Sequence, residues 1–394
     1  MTADRSPRRE FVRFLVVVYG PTLLFAVGQG AVLPVIALSA RELGASIGVA
    51  GLVVALTGIG QIVGDVPAGA LADRLGERWA MIVSVFATAV ALGGCVVAPS
   101  VLVLGACILI TGIAGAVFSL ARQTYLTDML PANARGRGMS TLGGSHRIGL
   151  AIGPFIGAWA VGPMGTDGAY LVHLVAAAAT LGLLWFLPDL PATDTPVDPN
   201  GPATVWSVFR AHRRVLATVG VAALLVGAAR AARITVIPLW CEHAGLDVAQ
   251  TSLVAGVAGL VEIVLFYPAG ALMDRMGRAG VGAVSMLVVA AGLAVLPLTH
   301  TIATITVAAA LVGLGNGLSS GLVLTLGADV APVHSKSLFF GGWRLIADIG
   351  VAAGPLAVGV VATVAPLAVA CAASAALGVA AAGTVWRWAP RRLA

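Results

Sequence analysis

The chain has 394 residues, 59% hydrophobic and 10% charged, with a formal net charge of +6 and a mean hydropathy of +0.99. So few charges exclude an ordinary soluble domain, in which about a quarter of residues are charged, and point to an integral membrane protein. The basic balance is no nucleic-acid footprint, because the arginines stand singly or in pairs between apolar runs and form no clustered basic face.

The N-terminal stretch RSPRREFVRFLVVVYG has the charged-then-apolar shape of a secretory signal, but no cleavage site follows, so an uncleaved first span is expected. A helix needs about 20 apolar residues to cross a hydrocarbon core of about 30 Å. On that measure spans are predicted at 11–38, 47–71, 79–98, 101–129, 139–162 and 169–187. A second set is predicted at 215–240, 248–272, 281–298, 302–329, 338–362 and 365–386. Between the sets runs PDLPATDTPVDPNGP, the longest polar stretch, rich in Pro and Asp. The expected fold is therefore an all-α membrane protein with twelve transmembrane helices. They form two pseudo-symmetric six-helix bundles, 1–187 and 215–394, joined by a cytoplasmic linker at 188–214.

Cys95, Cys107, Cys241 and Cys371 are scattered without metal-ligand spacing and read as apolar filler, so neither a disulfide framework nor a metal site is expected. Lys and Arg accumulate in cytoplasmic loops. Here most of them lie at the termini, in the linker, or in the loops after the second, fourth, eighth and tenth spans, and only Arg41 lies in a loop on the other side. Both termini are thus expected in the cytoplasm and the chain in the plasma membrane.

The two halves repeat each other. A Gly-Ala-Leu-x-Asp-Arg-x-Gly core begins at Gly69 and again at Gly270, 201 residues later. Asp128 and Pro131 recur as Asp329 and Pro332, and GLAIGP at Gly149 recurs as GVAAGP at Gly350, all at the same offset. Six spans per half is an even number, so both halves enter from one face and the repeats are parallel. Around the loops, Gly69 permits close helix approach, Asp73 suits the positive N-terminal end of a neighbouring helix, and Gly76 allows a tight reversal.

This arrangement, with its loop motif present twice, resembles the major facilitator superfamily over nearly the whole chain. The resemblance implies two bundles that rock about a central site, opening it alternately to each side. It also implies a gating latch at Gly69, Asp73, Arg74, Gly76 and Arg78, and again at Gly270, Asp274, Arg275, Gly277 and Arg278. Arg278 precedes the final basic position rather than occupying it. By position, Arg74 or Arg78 is expected near Asp128, and Arg275 or Arg278 near Asp329. The fifth span resembles the glycine-proline signature of the superfamily's antiporter branch at Gly149, Gly153, Pro154 and Gly157, which implies proton-driven export. Ser140 and Ala158 replace its outer glycines, and Ile108 stands where the branch carries an arginine in the fourth span. Packing of small residues between two helices accounts for the same stretch equally well.

Ionisable groups inside a membrane usually line a cavity or pair with one another. The acids are Asp65, Glu262 and Asp348, any of which serves either as a proton carrier or in a structural ion pair. Arg230 and Arg233, three residues apart on one helix face, have no evident acidic partner in the outer half of the bundle. With Gln29, at the repeat position of Arg230, they favour an anionic or carbonyl-rich substrate, or else they bond backbone carbonyls and snorkel. His146 and His173 read as packed side chains. The resemblance also implies that the second span neighbours the eleventh and the fifth the eighth; given those neighbours, depth along the spans matches Asp65 with Arg344, Arg147 with Glu262, and more weakly Gln61 with Asp348, each across the two halves. The expected function is a proton-coupled exporter of a small organic molecule, the alternative an importer or exchanger of an organic anion. A membrane enzyme or a sensor is remote, since no nucleophile constellation occurs. The expected partners are a small-molecule substrate, protons and the lipid bilayer, for a monomer with no cofactor, metal or nucleic acid.

Overall fold

The computed structural model describes residues 7–189, 210, 212–332 and 336–389, and every regular element among them is helical. Most of the linker expected at 188–214 lies outside the described residues. An apolar run in hydrocarbon has no water to satisfy its backbone N–H and C=O groups, and a helix satisfies them within the run itself. In chain order the first helices are α1 Pro7–Val32, α2 Ile36–Glu42, α3 Ile47–Leu75, α4 Glu77–Val96, α5 Val101–Met129, α6 Ala132–Met164 and α7 Asp167–Trp185. Then follow α8 Val221–His243, α9 Val248–Met276, α10 Arg278–Val295, α11 Ile302–Leu318, α12 Leu322–Val330, α13 Lys336–Val364 and α14 Leu367–Trp388.

Two of the predicted spans are broken. The first is split into α1 and α2, which bend by 41° across a break containing Pro34, a residue with no N–H to continue the ladder. The tenth is split into α11 and α12. Among the described residues ten helical segments are long and apolar enough to cross a membrane, and the bent pair makes eleven. The 33 residues of α6 reach about 50 Å at 1.5 Å per residue, but α6 is not among those segments.

The chain forms two compact units, Met1–Val35 with Gly60–Thr193, and Ile36–Ile59 with Asp194–Ala394. In the first, α1 packs on α6 and α7, and α4 on α5 and α7. Phe25 and Phe118 meet in its core with ring centroids 4.5 Å apart. In the second, α8 packs on α13 and α14, and α10 on α11 and α14, the same pairings one repeat later.

Residues 36–59 group with the second unit, although their sequence belongs to the first repeat. Gly48, Gly51 and Gly58 on α3 bring its backbone against Thr363, Gly359 and Ala352 of α13. Nearby, Arg41 Nε donates to both carboxylate oxygens of Glu242 at 3.0 and 3.2 Å, and Arg41 Nη1 to the carbonyl of Ala45 at 2.6 Å.

Lipid tails are as apolar as the helices, so close packing at small residues, rather than apolar burial, holds the bundles together. A side chain on Gly149 or Gly153 of α6 would collide with the carbonyl oxygens of Leu23 or Val27 on α1. One repeat later, Gly350 and Gly354 of α13 meet the carbonyls of Leu224 and Ala228 on α8 in the same way. Replacing Gly153 with Leu should therefore destabilise the first unit by about 1–3 kcal/mol, the usual cost of overpacking. Gly162→Leu, at a position with nothing within 4 Å of an added Cβ, is the control. Equal thermal midpoints of the two variants in detergent would count against this packing role.

Candidate functional site

Two short loops carry the repeated motif. Gly76 between α3 and α4 and Gly277 between α9 and α10 have φ of 80° and 83°, a left-handed conformation that side chains disfavour and that turns the chain without a longer loop. Gly69 and Gly270 lie one to two turns before these reversals, where an added Cβ would meet nothing within 4 Å. The side chains of Asp73 and Asp274 lie outside the described residues. Arg74 and Arg275 are exposed.

The two copies use their remaining arginines differently. Arg278, the first residue of α10, forms an ion pair with Asp329 at the end of α12. Arg78 instead caps the C-terminal end of α7. Its Nε donates to the carbonyl of Leu184 at 3.2 Å, its Nη2 to that of Trp185 at 2.9 Å, and its Nη1 bonds Asp189 at 2.7 Å. The guanidinium also lies 5.7 Å from the ring centre of Trp79. A cation on unpaired helix-terminal carbonyls is favourable for both hydrogen bonding and the helix dipole. Asp128, expected near Arg74 or Arg78, is exposed. One residue of register explains the departure. The repeat position of Arg278 is Glu77, and Arg78 stands about 100° further round its helix, aimed at α7 rather than at the end of α5.

The charged centre of the second unit lies where α8, α9 and α11 meet. Arg233 Nη2 on α8 donates to Glu262 Oε2 on α9 at 2.9 Å, and Arg230 Nη2 lies 3.9 Å from Glu262 Oε1. Arg230 Nε also donates to Asn316 Oδ1 on α11. Arg233 Nε is a buried donor with no hydrogen-bond partner among the described residues. The two arginines are expected to find no acid in the outer half of the bundle; the acid they meet is Glu262, which the spans place in the inner half. Depth along a span compares backbone positions, whereas a guanidinium on its long stem reaches another level of the bundle. The acid that depth matching assigned to Arg147 therefore has two basic neighbours inside its own unit. Two guanidinium groups thus flank one carboxylate.

The first unit carries a neutral version of this corner. Gln29, the repeat counterpart of Arg230, places its Nε2 3.6 Å from where a Cβ on Gly115 would stand. Gly115 is in turn the counterpart of Asn316, and Gln61 that of Glu262. Asn316 carries no charge and so is not marked by ionisable residues alone, although an Asn in the middle of an apolar span is itself a signal.

Arg344 and Asp348 lie one turn apart on α13 and pair at 3.5 Å. Asp65 is half-buried on α3 and Arg147 half-exposed on α6. Gly149, Gly153 and Gly157 of α6 face Leu23, Val27 and Ala31 on α1, so the glycine-proline stretch around Pro154 is a helix-packing surface in this structure. His173 packs its ring edge-on to Phe25, with centroids 5.3 Å apart. Among the described residues no group of three or more His, Cys, Asp or Glu is placed to hold a metal.

The sequence model of the Major Facilitator Superfamily matches residues 21–355 and 219–393. An uncharacterized MFS-type transporter of Methanocaldococcus jannaschii is 21% identical over 354 residues, 88% of this chain and 91% of its own length. The class C tetracycline resistance protein of Escherichia coli is 29% identical over 174 residues, 43% of this chain and 42% of its own length. Among solved structures, the nucleoside transporter NupG aligns with a TM-score of 0.77 over 96% of this chain and 99% of its own, at 15% identity, a likeness of fold.

Proposed function

The chain belongs to the major facilitator superfamily and is a membrane transporter rather than an enzyme; from that premise we propose that it exports a small organic molecule in exchange for protons, by alternating access. The observation that carries this proposal is Glu262, a carboxylate inside a membrane span and held by Arg233 and Arg230. An intramembrane acid is costly unless it has work to do. Protonation removes its charge and releases two guanidinium groups, which gives the cluster two electrostatic states that a substrate can select between. The likeness to a tetracycline resistance protein supports the outward direction.

The bundles 1–187 and 215–394, the latch loops and cytoplasmic termini in the plasma membrane complete the proposal, the last supported by the distribution of arginines. Uptake or exchange of an organic anion is favoured by a different observation. Two guanidinium groups gather at one point inside the spans, and the buried Arg233 Nε has a hydrogen bond to give.

Flux into proteoliposomes, screened over cationic, neutral and anionic compounds, separates the two. Accumulation of a cationic or neutral compound driven by an acidic lumen supports export by exchange. Accumulation of an anion driven by an acidic exterior supports anion uptake with protons. Flux indifferent to either gradient for every compound would refute proton coupling.

A further inference from the structure

We propose that the second unit binds an anionic phospholipid in a groove between α9, α10 and α14, separate from the charged centre described above. The groove has a volume of ≈ 510 Å³ and is lined by apolar side chains or glycine, among them Met276, Gly280, Leu287, Val379, Gly383 and Trp386. Met276, Leu287, Val379 and Trp386 are between 49% and 68% exposed, far more than a packed core allows. In a membrane protein such exposed apolar side chains face acyl chains.

The groove exists because two side chains are missing. Gly280 on α10 and Gly383 on α14 both line it, and a Cβ added to either would meet nothing within 4 Å. Its walls run from Gly280 to Leu287 and from Trp386 back to Val379, seven residues each, or about 10 Å at 1.5 Å per residue. That is about a third of a hydrocarbon core of about 30 Å. The mouth lies where α9 ends at Met276, α10 begins at Arg278 and α14 ends at Trp388, a boundary where tryptophan is favoured.

Charge at the mouth selects the headgroup. Arg275 precedes Met276 and Arg387 follows Trp386; both are exposed, and neither is in an ion pair among the described residues. Arg278 is already held by Asp329. Two exposed arginines, each next in sequence to a lining residue at the same end of an apolar slot, suit a phosphate at that end with its acyl chain along the slot. A zwitterionic headgroup brings its own ammonium charge against them, whereas an anionic headgroup does not.

The test is native mass spectrometry of the purified full-length protein, titrated separately with dioleoyl phosphatidylglycerol and dioleoyl phosphatidylcholine. Tighter binding of the first phosphatidylglycerol is expected. The Arg275→Gln/Arg387→Gln double variant should lose about 25-fold of that affinity, on the order of fivefold per arginine, and leave phosphatidylcholine unchanged. Gly383→Leu, which fills the groove, should weaken both lipids. Size-exclusion profile and thermal midpoint establish that each variant is folded. Equal binding of the two lipids by the unaltered protein would overturn the proposal, as would a phosphatidylglycerol preference that survives both variants. A dimer in detergent that Gly383→Leu dissolves would put a second copy of the chain in the groove and overturn it equally.

Discussion

Replacing Glu262 with Gln should leave a transporter that still exchanges substrate but no longer concentrates it. The amide has nearly the shape of the carboxyl and keeps an oxygen to accept from Arg233, now 2.9 Å from Oε2, but it has no proton to carry. One pH unit is worth 1.36 kcal/mol per proton, so exchange of one proton for one neutral solute supports about tenfold accumulation per unit of gradient. In the Glu262→Gln variant that ratio should fall to about one, while counterflow of labelled against unlabelled substrate persists. The measurement is steady-state accumulation in proteoliposomes at a fixed pH difference beside counterflow with no gradient. Accumulation still at about tenfold would remove Glu262 from the coupling step.

Removing one member of the charged centre should cost more than removing two. Arg233→Ala leaves Glu262 with Arg230 at 3.9 Å, and a group that has lost its buried partner is typically destabilised by about 3–5 kcal/mol. Arg233→Ala combined with Glu262→Ala leaves no stranded acid and should recover part of the loss, with a coupling energy of about 1–3 kcal/mol. Thermal midpoints of the single and double variants close the cycle, and strictly additive losses would show that the pair contributes no mutual stabilisation. Repeating the cycle with Arg147→Ala tests the pairing that depth along the spans suggests, where non-additivity would mean that Arg147 also acts on Glu262. Arg230→Gln and Arg233→Gln should lower flux of an anion more than that of a neutral compound. Equal losses would deny the arginines any part in selecting charge.

Run length alone located the spans, because a membrane core sets the length of apolar sequence that crosses it. It did not locate the bend at Pro34 or the break between α11 and α12, since hydropathy averages over the one or two residues that interrupt a helix. The glycines of α3 signalled close approach without naming α13 as the neighbour, so residues 36–59 went with their own repeat. Within the site, the 201-residue offset relates Arg230 to Gln29, yet depth along the spans does not bring Glu262 to Arg233, because it ignores how far a side chain reaches. Arg78 stands one position past Glu77, the repeat counterpart of the Arg278 that pairs with Asp329. On a helix that is a change of face, invisible when only the side of the membrane is considered.

Arg41 and Glu242 are 201 residues apart and bonded to each other, so the same position of the two repeats is in contact with itself. In a dimer of identical chains about a two-fold axis, such a position would set Arg against Arg or Glu against Glu, a repulsive self-contact. Opposite charges can meet there only when the two copies differ in sequence. The pair is thus a contact that no symmetric homodimer could make. Joining two copies in one chain did more here than tether them, for it allowed a point that symmetry would make repulsive to become a bond.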